Sequence, residues 1–190
     1  MEDLADLDRD VIGSGDFSRS SSALAQTAGE VTLAGAYIRE TDGRSVIILN
    51  PKEVETLELA SQGLSVGESA KERGIPADTI KSQRKEYLRK LGAKSTANAV
   101  RIGIEAGIIP ITFDEYGLPG ANRLTPALLD VLELAAQGFS VQETAEKRGV
   151  SIETIKTHRK DIIRKLGAEN IVHSVRRAYE AGIFDGPILS

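Results

Sequence analysis

The sequence has no cysteine, no tryptophan, one methionine and two histidines. Without thiols it cannot build a disulfide framework or a thiolate metal site, which fits a reducing compartment. His158 and His173 have no cluster of partner ligands in the sequence, so no metal is expected, and His158 is read as a packing or hydrogen-bonding residue. No apolar run approaches the roughly eighteen residues that a membrane-spanning helix needs. The opening residues MEDLADLDRD are acidic and lack an apolar stretch, so no secretory signal is expected. Gly13-Ser14-Gly15 has neither a strand before it nor a Lys-Ser/Thr helix start after it, which excludes a nucleotide loop. No nucleophile–base constellation stands out, so neither an enzyme nor a cofactor is expected. An excess of positive charge is also missing, since the net charge is −4.

What the sequence does contain is a long self-similarity. Residues 51–109 and 126–184 align without a gap at an offset of 75. "LELASQGLSVGESAKERGIPADTIKSQRKEYLRKLGA" lies over "LELAAQGFSVQETAEKRGVSIETIKTHRKDIIRKLGA", with about half of the positions identical. The charge divides unevenly around this duplication. Residues 1–50 are net −5, while the two repeats are net +2 and +1. The overall charge is therefore a poor guide to partners, and the basic groups must be placed on a face.

Each repeat reads as four helices. Asn50-Pro51 and Thr125-Pro126 pair a capping residue with proline at the first helical position. Ser65 with Glu68, and Ser140 with Glu143, are capping boxes. Gly74 and Gly149 suit left-handed helix ends. A third helix is predicted over about 77–91 and 152–166, and a fourth over about 95–106 and 170–181. Two short helices joined by a tight glycine turn have the layout of a helix-turn-helix. The small Ala70 and Ala145 would let those helices approach closely. Mainly α structure is expected, with two tandem four-helix helix-turn-helix domains at 49–109 and 124–184. Residues 1–20 read as a disordered acidic leader, 110–123 as a linker and 185–190 as a tail. Residues 21–48 read as a small extension, with a helix over 21–36 and a β-hairpin over 37–49 around Thr41-Asp42-Gly43.

The third helix carries the chemistry. Ile80, Tyr87, Leu88 and Leu91 form an apolar face, repeated as Ile155, Ile162, Ile163 and Leu166. The opposite side carries Lys81, Ser82, Lys85 and Arg89, repeated as Lys156, Thr157, Lys160 and Arg164, with Arg84 and Arg159 on the flank. Cationic stripes on helices are commonly plain solvated faces. This one recurs twice, on the helix that the motif should present to DNA. Lysine and arginine there suit phosphates and guanine edges in a major groove.

These residues resemble a known family. Leu49-Asn50-Pro51 and Leu124-Thr125-Pro126, Leu59-Ala60-Ser61-Gln62-Gly63-Leu64-Ser65 and Leu134-Ala135-Ala136-Gln137-Gly138-Phe139-Ser140, Thr79-Ile80-Lys81 and Thr154-Ile155-Lys156-Thr157-His158, and Arg89-Lys90-Leu91-Gly92 and Arg164-Lys165-Leu166-Gly167 follow the pattern of the LuxR/GerE-type DNA-binding domain. The resemblance implies that the third helix reads double-stranded DNA through Lys81, Ser82 and Lys85, and through Lys156, Thr157 and Lys160. It also implies that Thr79 and Thr154 cap that helix, and that the fourth helix can serve as a homodimer surface. The departures are Ser69 and Arg73, and Thr144 and Arg148, at positions the family keeps aliphatic, with Gln83, Gly67 and Pro76 in the first copy only. Leu128 replaces Glu53 in the second copy. The second copy is expected to be the stronger reader.

The expected function is a sequence-specific transcriptional regulator from a bacterium or phage, cytoplasmic and nucleoid-associated. It would carry two readers on one chain, and RNA polymerase or a regulatory protein is a further expected partner. The connector is long enough for a monomer to hold two successive major grooves, which lie about 34 Å apart on one face of DNA. The alternatives are an architectural or recombination-accessory DNA-binding protein, and a helical adaptor with degenerate modules.

Overall fold

A computed structural model describes residues 30–33, 36–39, 49–112 and 124–184. It contains eight helices among the described residues. In the first copy they are α1 (Pro51–Ser61), α2 (Val66–Arg73), α3 (Ala77–Leu91) and α4 (Thr96–Glu105). In the second they are α5 (Pro126–Ala136), α6 (Val141–Arg148), α7 (Ile152–Leu166) and α8 (Ile171–Glu180). Ahead of them lie β1 (Glu30–Leu33) and β2 (Ala36–Arg39), which pair antiparallel with Glu30 opposite Arg39 and Leu33 opposite Ala36.

That strand pair corrects the expected layout of the extension. Residues 30–33 are strand, where the helix over 21–36 was expected. β2 covers the start of the run expected as the first strand of the 37–49 hairpin and pairs with β1 ahead of it; residues 40–48 of that hairpin lie outside the described residues. The β-branched Val31 and Thr32, and Tyr37-Ile38 after Gly35, favour an extended backbone. The rest of that helix, the Thr-Asp-Gly turn, the leader 1–20 and the tail lie outside the described residues.

Local chemistry accounts for the helix ends. The Asn50 side chain accepts from the Glu53 backbone N–H at 3.0 Å while the Glu53 carboxylate accepts from the Asn50 N–H at 2.8 Å. Ser65 with Glu68 and Ser140 with Glu143 close the same reciprocal box. Gly74 and Gly149 end α2 and α6 in the left-handed region, at φ 62° and 63°. α3 and α7 begin where expected, at Ala77 and Ile152, but not with the expected caps. Thr79 and Thr154 do not cap them. α7 is capped by Ser151, whose side chain accepts from the Thr154 N–H at 3.0 Å. α3 starts after Pro76, which offers no side-chain acceptor. Both threonines fall inside the first turn because the helix begins as soon as the glycine turn is complete.

Within each copy the third helix packs on the first and second, and against the fourth. Ile80, Tyr87 and Leu91 of α3 are buried, as are Ile155, Ile162 and Leu166 of α7, and so are Ala70 and Ala145. The two copies do not stand apart. α4 lies against α8, α1 against α8 and α4 against α5, so both modules share one apolar core. Val100 and Ile104 of the first copy and Val175, Ala178 and Tyr179 of the second belong to it. No helix among the described residues is long and apolar enough to cross a membrane.

Candidate nucleic-acid interface

α3 and α7 each run for 15 residues, and their apolar faces are committed to the core. The periodicity of the helix therefore forces the remaining side chains outward. Thr79, Lys81, Ser82, Lys85 and Arg89 are exposed on α3. Lys156, Thr157, Lys160 and Arg164 are exposed on α7, and Thr154 is half-buried. The two stripes are thus surfaces that an incoming ligand can reach.

Their electrostatics match position by position. Lys81 pairs with Asp78 at 2.9 Å, as Lys156 does with Glu153 at 3.2 Å. Arg89 pairs with Glu86 at 3.0 Å, and Arg164 with Asp161 at 3.0 Å. Side-chain exposures of 64% for Lys81 and 53% for Lys156 place these pairs in water, where such a bridge contributes about 0–1 kcal/mol. They hold the cations in place and give them up easily. Lys85 and Lys160, at the centre of each stripe, have no ion-pair partner among the described residues. Ser82 donates to the Asp78 carbonyl at 2.9 Å and Thr157 to the Glu153 carbonyl at 3.0 Å. These bonds leave both hydroxyls able to accept a further bond.

Arg84 and Arg159 stand elsewhere. Each is half-buried, and its Nη2 donates inward to the carbonyl after the first helix: Leu64 O at 2.8 Å and Phe139 O at 2.9 Å. Burial pushes the Arg159 guanidinium below its ordinary pKa. These side chains brace the third helix against the turn that precedes the second helix, and they do not line the exposed stripe with the lysines.

The departures from the family pattern also find their physical reason. Arg73 makes an ion pair with Glu55 at 2.8 Å and donates to Thr56 Oγ1 at 2.6 Å and to the Gln83 side chain. Arg148 repeats the ion pair, with Asp130 at 2.7 Å. In the second copy Val131 and His158 replace Thr56 and Gln83, and His158 Nδ1 finds no partner among the described residues. Glu53, almost fully buried, joins its capping box to Lys90 Nζ at 2.8 Å. Leu128 replaces that arrangement with a buried apolar side chain. No group of three or more histidine, aspartate or glutamate side chains able to hold a metal occurs among the described residues.

Sequence comparison agrees with this geometry. A family model described as "Bacterial regulatory proteins, luxR family" matches the chain twice, over residues 48–102 and 122–178. The transcriptional regulatory protein MctR of Rhizobium johnstonii is 35% identical over 78 residues, covering 41% of this chain and 36% of that protein. The transcriptional regulatory protein RcsB of Escherichia coli K12 is 32% identical over 140 residues, covering 74% of this chain and 60% of that protein. The chain therefore spans only part of the length of either relative. No solved structure matches it.

Proposed function

The chain belongs to the LuxR family of bacterial regulatory proteins, and on that premise we propose that it is a sequence-specific DNA-binding regulator of transcription. It uses 49–109 and 124–184 as its two reading modules, with α3 and α7 entering the major groove of the bacterial nucleoid's DNA. Lys81, Lys85, Lys156 and Lys160 meet phosphates and guanine edges, while Ser82 and Thr157 meet base edges. Thr79, Arg89, Thr154 and Arg164 lie beside them for phosphate contacts. Arg84 and Arg159 set the tilt of the reading helices. The observation that carries the proposal is the repetition: two third helices display the same cations and a hydroxyl outward, at matching positions, from matching cores. RNA polymerase or a second regulator is then the partner through which binding alters transcription.

Replacing Lys156 and Lys160 together by alanine tests this. Both are exposed, so the melting temperature should stay within about 2 °C of the parent, as expected of surface changes worth about 0.5 kcal/mol or less. DNA affinity should fall at least about tenfold, and the slope of log K against log salt should shrink by about two. Unchanged affinity and slope would show that α7 is not a DNA reader.

A further inference from the structure

We propose that a single chain binds an inverted pair of half-sites as a monomer, because the two copies are related by an internal two-fold. The inference rests on the DNA-binding reading above and adds the symmetry and stoichiometry of the target. A tandem duplication joined by a bare tether would leave the relative orientation of its readers unfixed, open to direct and inverted repeats alike. The contacts between the copies rule that out.

Gly63, at φ +95°, sits so close to the other copy that a Cβ there would lie 2.9 Å from Glu169 Cβ and 3.2 Å from His173 Cβ. Gly138, at φ +93°, would meet Lys94 Cβ at 2.8 Å and Asn98 Cβ at 3.2 Å. Adding 75 to one partner and subtracting it from the other converts the first set of contacts into the second. Whole helices obey the same exchange: α1 packs on α8 and α5 on α4, while α4 and α8 pair with each other. Such reciprocity defines an isologous, two-fold interface and excludes a head-to-tail one.

α3 leans on α4 and α7 on α8, so the same two-fold relates the reading helices and turns them in opposite directions. Dyads of DNA coincide with a protein two-fold only where half-sites are inverted. Specific bonds hold the relation. Asn98 Nδ2 donates to Ala136 O at 3.0 Å, and Asn170 Nδ2 to Gly63 O at 2.6 Å. Arg176 Nη1 donates to Ser61 Oγ at 2.9 Å, and Tyr179 OH to Glu105 Oε1 at 2.8 Å. The last two each use a partner that the other copy lacks, since Ala136 and Ile104 occupy the positions matching Ser61 and Tyr179. The pairing is thus matched between unlike copies within one chain.

Duplexes selected from a random pool by the full chain supply the probes. The two selected half-sites are then rebuilt in inverted, direct and everted order at several spacings. Binding and complex mass are measured for the parent and for a variant with ten Gly/Ser residues inserted within 113–123. One chain per duplex, an advantage of about a hundredfold for the inverted order at one spacing, and an unchanged spacing preference after the insertion are expected. Equal binding to direct repeats, two chains on one inverted site, or a spacing preference that relaxes with the longer connector would overturn the inference. An absence of any DNA binding would instead overturn the DNA-binding reading beneath it.

Discussion

His173 shows how much a single side chain reveals about this molecule. It lies against Gly63 of the other copy, and its Nδ1 accepts from the Glu169 N–H at 3.2 Å, so the ring is held with that nitrogen unprotonated. Burial, and then the Arg177 guanidinium, lower its pKa below the ordinary histidine value. An unfolded chain takes up the proton near pH 6.5, whereas the folded chain resists it. Stability should therefore rise as pH climbs toward about 6.5, and fall as pH drops below it. Asn98 occupies the matching position in the first copy, so His173→Asn is a compatible replacement. Melting curves between about pH 5 and 7 should show a shallower pH dependence for this variant, and an identical slope would contradict the assignment. The exposure of the lysines, of Ser82 and of Thr157 was legible in the sequence because helical spacing alone sends them outward. Arg84 and Arg159 were not. They sit on the flank of the helix, and only the positions of the Leu64 and Phe139 carbonyls decide that they turn inward.

At the level of elements, the helix bounds agree with the sequence reading to within a residue or two, because capping is a local matter. A serine and a glutamate three residues apart close their box whatever the rest of the fold does. The starts of α3 and α7 were read correctly, but their caps were misjudged. Threonine suits a cap, yet the end of the glycine turn places the cap three residues earlier, at Pro76 and Ser151. Gly67 is the element-level anomaly of the first copy. It is the second residue of α2, exposed, with only Ser65 Oγ at 4.0 Å from where a Cβ would stand. Nothing obstructs a side chain there. Gly67→Ala should therefore stabilise the protein by about 0.4–1 kcal/mol, chiefly by restricting the unfolded chain. Denaturant titration checks this through a higher midpoint at unchanged slope. A lower midpoint would mean that α2 needs the glycine. Strand was legible in the run that holds β2, while β1 was read as helix, because Val31 and Thr32 sit in a stretch otherwise rich in alanine.

The whole molecule is where the sequence was least informative. The family resemblance makes the fourth helix a homodimer surface, and periodicity does not say whether what α4 and α8 face belongs to the same module, the other copy or another chain. The structure sets them against each other, so the surface expected to form a homodimer is occupied within the chain. Under the proposal, two readers held about one dyad by a shared core act as one unit, and its central claim is that both enter the duplex together. Methylation protection at guanine N7 on a selected duplex tests this most directly, because that atom lies in the major groove. The account predicts two protected windows about one helical turn apart with a single bound chain. Tight binding with one protected window, or with none, would contradict it.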